Sequence, residues 1–139
     1  MLPLPSFAPA PSDQSTAIVW HITCDGVTGS TGIALGTGNA NTNAIIAVYG
    51  PENNAANLCA DLVLGGYSDW YLPSKDELNQ LYLNKGAVGG FVSGYYWSST
   101  EYSNATAWMQ YFDIGDQSFY FKNNTNFVRA VRLFNYSTI

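Results

Sequence analysis

Charge is scarce in this chain, and positive charge scarcest of all. Lys, Arg, Asp and Glu together make up 11% of its 139 residues, as five basic and ten acidic side chains. An average soluble domain carries roughly 25%. Phosphate-backbone binding needs clustered cations. Arg129 and Arg132 stand alone near the end, which argues against nucleic acid as a partner. Cysteine is nearly absent too. Cys24 and Cys59 are the only two, enough for one disulfide around a loop of about 35 residues or for two buried thiols. The disulfide would contribute ~3 kcal/mol. With a single histidine, His21, the pair offers no zinc pattern. No apolar run approaches the ~20 residues of a membrane span. The opening MLPLPSFAPAPS has no basic n-region and no continuous apolar stretch, so it does not read as a secretory signal.

What the chain does contain is apolar and aromatic. Hydrophobic residues make up 47% and aromatics 15%, ample for the core of one domain at this length. The surface must then be covered by Asn, Ser, Thr, Gly and Tyr. Those side chains make adaptable recognition surfaces. Pro3, Pro5, Pro9 and Pro11 favour an extended, polyproline-like arm over residues 1–15, ahead of a domain at 16–139.

Thr16 to Thr23 reads as a strand from its β-branched and aromatic content. Gly29 to Asn43 is rich in Gly, Asn and Thr and reads as a loop. Ala44 to Tyr49 is a short apolar run that fits strand or helix. A helix is expected over about 53–62, ended by Gly65-Gly66. The clearest helix is Ser74 to Asn84. Ser74 and Glu77 have capping-box spacing, Leu78, Leu81 and Tyr82 form an apolar stripe, and Lys85-Gly86 closes it. Short strands and turns follow from Phe91. Ala107 to Asp113 alternates, with Trp108, Gln110 and Phe112 on one face and Met109, Tyr111 and Asp113 on the other. Ile114-Gly115-Asp116 turns the chain into a return strand at Gln117 to Lys122. A last strand is expected over Phe127 to Phe134.

Three blocks in order carry a resemblance: GYSDWYLPSKDELNQLY, YWSSTEYSNATAWMQYFDIGDQSFYFK and FVRAVRLF. Together with GTGNANTNAII upstream, they resemble the C-terminal domain family of the Lcl collagen-like adhesin, a C-type-lectin-like family. It is related to the variable proteins of diversity-generating retroelements. The resemblance implies an α+β fold, with two helices on a twisted antiparallel sheet and long loops. It also implies a rigid scaffold that displays a binding face, and no catalysis. Ala107, Trp108, Gln110, Phe112 and Gly115 match the family's AW-x-Q-x-F-x-x-G pattern. They are expected to hold the core, with Trp108 and Phe112 inside. Family members that bind sulfated polysaccharides need a basic face, which this chain lacks.

The positions between those matches, with the flanking loop and return strand, form the expected ligand-binding set. It comprises Tyr102, Asn104, Thr106, Met109, Tyr111, Asp113, Asp116, Ser118 and Tyr120, extended by Asn123, Asn124 and Asn126. Large Tyr contacts beside Asn and Ser resemble a paratope; a merely solvated hairpin face is the plain alternative. Catalysis finds little support. WSSTE (Trp97 to Glu101) offers serines with no G-x-S-x-G elbow and no nearby base. Asp69, Asp76, Glu77 and Glu101 are too scattered for an acid/base pair. Glu52-Asn53-Asn54 and Asp113/Asp116 supply oxygens without EF-hand spacing, so no metal or cofactor is expected. The expected partner is a host cell-surface glycan or protein, with no membrane partner. The expected setting is a virion tail, fibre or capsid surface, reached through residues 1–15 as a homotrimer. A decoration protein without a ligand and a secreted bacterial adhesin are the alternatives.

Overall fold

Residues 7–133 are described by the computed structural model. The chain runs β1 (Phe7–Pro9), β2 (Ser15–Val19), α1 (Gly38–Tyr49), α2 (Ala55–Ala60), α3 (Lys75–Leu83), α4 (Lys85–Val88), β3 (Tyr95–Glu101), β4 (Thr106–Tyr111), β5 (Gln117–Phe121), β6 (Thr125–Val128) and β7 (Val131–Leu133). The fold is α+β. Its main sheet has the order β2-β6-β3-β4-β5, and β1 pairs with β7 in a second, two-stranded sheet. Neighbours are antiparallel except β3 and β6, which run parallel.

Local chemistry explains α3 directly. The Ser74 side chain accepts from the Glu77 amide, and the Glu77 carboxylate accepts from the Ser74 amide. Asp76 and Glu77 sit in the first turn, where negative charge suits the helix dipole. The helix expected at about 53–62 is α2, capped by the Asn54 side chain accepting from the Asn57 amide.

Two further helices form: Ala44 to Tyr49, which fits strand or helix in sequence, is the second half of α1, and α4 was not expected. α1 begins inside the stretch read as a loop. Its Asn and Thr residues disfavour helix by competing for backbone, but here they are spent on tertiary bonds. The Asn41 amide bridges the Gly32 N–H and C=O at 3.0 and 2.7 Å, and Thr42 Oγ1 accepts from the Leu72 amide at 3.0 Å. Gly38 starts α1 because a Cβ there would run into the Glu77 carboxylate, the Tyr71 ring and the Leu72 carbonyl. α4 follows α3 at Lys85 instead of ending it.

The division into a 1–15 arm and a 16–139 domain needs correction. Residues 1–6 lie outside the described residues. Beyond them, Phe7–Pro9 pairs with β7, Phe7 is buried, and Ala10 is wholly buried with its amide on Ala130 O at 2.8 Å. Proline fixes an extended backbone that also suits a short edge strand. The expected last strand likewise divides into β6 and β7, and Phe134 lies outside the described residues.

The main sheet is covered on both faces. Alternation in β3 sends Trp97 to one side and Tyr96 to the other. Trp97 packs with Trp20, Ile45, Ala55, Cys59 and Met109. Tyr96 packs with Phe7, Tyr71, Leu78, Leu81 and Phe112. This overturns the expected burial in β4. Met109 is buried at 7% exposure, whereas Trp108 is half-buried. Period-2 alternation identifies which residues share a face, and Trp108, Gln110 and Phe112 do share one. It does not say which face is covered when helices lie on both sides. Cys24 and Cys59 are free thiols, and burial pushes the Cys59 thiol well above the usual range.

Candidate functional site

The β4–β5 hairpin is built from its turn outward. Gly115 has φ +88°, and a Cβ there would strike the Tyr82 ring. The Gln110 amide donates to Asn79 Oδ1 at 2.9 Å and to Gly115 O at 3.1 Å, fixing the turn against α3. The pairing then sets Gln110 opposite Gln117, Trp108 opposite Phe119 and Thr106 opposite Phe121. β5 is the sheet edge, and Phe119, Tyr120 and Phe121 are all exposed.

A buried ion pair anchors the other end. Lys122 Nζ meets Glu101 Oε2 at 2.8 Å, with both side chains almost wholly buried. The Glu101 carboxylate also accepts from the Thr28 amide and hydroxyl, and Lys122 Nζ donates to Gly26 O and Tyr49 Oη. Burial, with Glu101 and Asp25 nearby, holds the Tyr49 phenol neutral well beyond its usual range. This cluster ties the end of β3 to the residue after β5, beneath the 102–106 loop. The loop is closed by the Tyr102 amide on Thr106 O at 3.0 Å and by Ser103 Oγ against Thr106 Oγ1 at 2.6 Å.

One aromatic group stands on the α3 side of the hairpin. The Tyr102 and Phe119 rings stack at 3.9 Å and 2°. Trp108 meets both edge-on, at 5.4 and 5.7 Å. Lys75 Nζ lies 4.3 Å from the centre of the Trp108 ring. Its backbone is fixed, since the Lys75 amide donates to Thr100 Oγ1 and its carbonyl accepts from the Gln117 side chain. Tyr102 and Phe119 remain 52% and 42% exposed. Three of the four tryptophans donate their indole N–H internally, Trp20 to Ser98 O, Trp70 to Tyr67 O and Trp97 to Ile18 O. The Trp108 indole N–H has no partner among the described residues.

The expected set is therefore divided among several places. Tyr102, Asn104 and Thr106 lie on or beside this group. Tyr111, Ser118 and Tyr120 are on the opposite face of the hairpin, where Tyr111 stacks on Tyr95 at 4.6 Å and 17°. Asp113 and Asp116 are exposed at the turn, while Asn123 and Asn124 sit at the far end. Met109 and Asn126 leave the set. Both are buried, and the Asn126 amide donates to Met109 Sδ at 3.4 Å. Asn123 accepts from the Cys24 thiol, so part of the Asn-rich turn serves the fold. Trp108, Phe119, Lys75 and Gln117, which lie together on this face, are outside the expected set. Cross-strand parity through the 114–116 turn pairs Trp108 with Phe119, and that signal was available.

The cations are mostly engaged. Arg129 and Arg132 each meet a carboxylate at 2.8 Å, of Asp13 and Asp69 respectively. The hydrogen bond from Arg132 holds the Asp69 carboxyl below its usual range. Lys85 donates to Phe112 O at 2.6 Å. Lys75 alone has neither a carboxylate nor a carbonyl acceptor for its ammonium among the described residues.

The WSSTE hydroxyls serve the fold, with Ser99 Oγ accepting from the Asn41 side-chain amide. Ser98 Oγ donates to Trp108 O, and Thr100 Oγ1 donates to Gly32 O. His21 stacks on Tyr49 at 3.4 Å and contacts Glu52 at 2.9 Å. Among the described residues no three His, Cys, Asp or Glu side chains converge as a metal site, and no helix is long and apolar enough to cross a membrane.

A family model described as the Lcl C-terminal domain matches residues 10–132. No curated protein matches the chain.

Proposed function

From the premise that this chain belongs to the Lcl C-terminal domain family, whose role is adhesin-like, we propose that it is a non-catalytic, C-type-lectin-like binding domain. Its Tyr102–Trp108–Phe119 face would contact a host cell-surface glycan or protein. The observation that carries this reading is the rigid, exposed aromatic group itself. Its rings are held by stacking, by Lys75 and by a hydrogen-bonded loop, yet about half of the Tyr102 and Phe119 surface stays exposed. Large exposed aromatics grouped in one place mark interaction sites rather than ordinary surface.

The proposed setting is a virion surface, with a bacterial cell surface as the alternative. Attachment through residues 1–15 is not carried forward, because Phe7, Ala10 and Asp13 are used by the domain itself. Multivalent display, as in a trimer, would raise a weak single-site affinity through effective concentration.

The Tyr95–Tyr111 stack on the opposite face is the second reading, favoured by the exposure of Tyr95 beside a half-buried Tyr111. One assay separates the two. Beads coated with the protein are scored for adhesion to a panel of cells. Tyr102→Ala with Phe119→Ala should reduce adhesion about tenfold or more, as hot-spot aromatics do, with an unchanged melting temperature. Tyr95→Ala with Tyr111→Ala should leave adhesion intact. The reverse pattern would move the site to the opposite face. Hydrolysis of a polysaccharide panel by the pure protein would contradict the non-catalytic reading.

A further inference from the structure

Resting on that reading of the face, we infer that its ligand is an uncharged sugar residue. The sugar's apolar C–H face would lie on the outer face of one ring of the stacked Tyr102–Phe119 pair, and its rim hydroxyls would meet the Trp108 indole N–H and the Gln117 side chain. Three observations point the same way. The first is shape and rigidity. Tyr102, on the hydrogen-bonded 102–106 loop, stacks on Phe119 at 3.9 Å and 2°, and Trp108 meets both rings edge-on from a strand pair tied to α3. Stacked face to face, each ring covers the inner face of the other and leaves its outer face as flat apolar area already ordered before binding, which limits the entropy lost on association.

The second is the polar complement. The Trp108 indole N–H is the one indole donor without a partner among the described residues. Gln117 lies on the Phe119 side of β5, two residues away, with its amide nitrogen fixed on Lys75 O. A pyranose presents this combination of an apolar face and a hydroxyl rim.

The third is charge. Recognition of a sulfated or carboxylated glycan needs convergent cations. Lys75 is the cation on this face, its ammonium already lies over the Trp108 ring, and the carboxylates of Asp76 and Asp116 adjoin Lys75 and Gln117 in sequence. The whole chain is at −5. A polyanion would be repelled and a neutral sugar would not.

The test is a glycan array carrying neutral hexose and N-acetylhexosamine oligosaccharides beside heparin and sialylated glycans. It is run with the wild-type chain and with the Tyr102→Ala/Phe119→Ala variant, alongside the cell-adhesion assay. The expected result is binding to neutral glycans, weakened about tenfold or more in the variant and insensitive to salt between about 0.05 and 0.5 M. A preference for heparin or sialylated glycans that fades with salt would overturn the inference. So would binding to no glycan while adhesion still depends on Tyr102 and Phe119, an outcome that keeps the face and implies a protein receptor. Neutral-glycan binding untouched by the double substitution would overturn the assignment to this face.

Discussion

Deleting residues 1–13 is expected to unfold the domain or to lower its stability by at least ~3–5 kcal/mol. Arg129 is wholly buried, and its guanidinium is held by Asp13 Oδ1 at 2.8 Å, Ala10 O at 3.1 Å and Gly89 O at 3.1 Å. Asp13 Oδ2 also accepts from the Tyr96 hydroxyl at 2.7 Å. The deletion removes two of the three acceptors and leaves a buried charge with Gly89 O alone. Breaking a buried pair from one side costs ~3–5 kcal/mol, because the remaining charge is uncompensated. Losing Phe7 from the core adds ~1.5–3 kcal/mol of burial. Asp13→Ala isolates the electrostatic part and should alone reproduce most of the loss. Urea melts of the wild type, the truncation and the point variant measure it. A truncated chain with the wild-type midpoint would restore the view of residues 7–13 as an arm separate from the domain.

Trp97→Ala should cost ~3–5 kcal/mol, the range for truncating a buried large aromatic. Trp97 has no exposed surface, its indole donates to Ile18 O at 2.9 Å, and it packs with Met109, Ala55 and Cys59. The substitution opens a cavity and orphans a buried carbonyl. Trp108→Ala removes a half-buried ring whose indole N–H makes no bond within the domain, and should cost about 1–2 kcal/mol. The contrast matters more than either value. Trp97 supports the scaffold, whereas Trp108 belongs mainly to the displayed face. Equal losses of melting temperature would erase that distinction.

Much of the architecture was legible where short-range chemistry decides it. The Ser74–Glu77 capping box located α3, and the 114–116 turn fixed the partners of the β4–β5 hairpin. What was not legible depends on partners distant in sequence. The start of α1 looks like loop because Asn41 and Thr42 disfavour helix, and only Gly32 and Leu72 reveal why helix wins there. The segment Phe7–Pro9 looks like a detached arm because nothing nearby shows that β7 will pair with it. The burial of Trp108 and Met109 was exchanged for a related reason. Alternation assigned them correctly to opposite faces, but α3 covers Gln110 and Phe112 and leaves Trp108 half-buried beside Lys75, its first residue. The candidate site inherited that exchange. Tyr102 was in the expected set, whereas its stacking partner Phe119 was not.

The central claim is that the Tyr102–Trp108–Phe119 face is the binding surface, and the tryptophan indoles report on it directly. The chain has four tryptophans. Trp20, Trp70 and Trp97 are buried with bonded indoles, and Trp108 alone is half-buried with its N–H unpartnered among the described residues. Their side-chain N–H resonances can be followed by NMR while the wild-type protein is titrated with a neutral N-acetylhexosamine oligosaccharide. The account predicts a saturable shift of the Trp108 indole while the other three stay in place. Saturable binding that leaves the Trp108 resonance unmoved would contradict it, whereas no binding at any concentration would overturn the neutral-sugar ligand and leave the face to the adhesion assay.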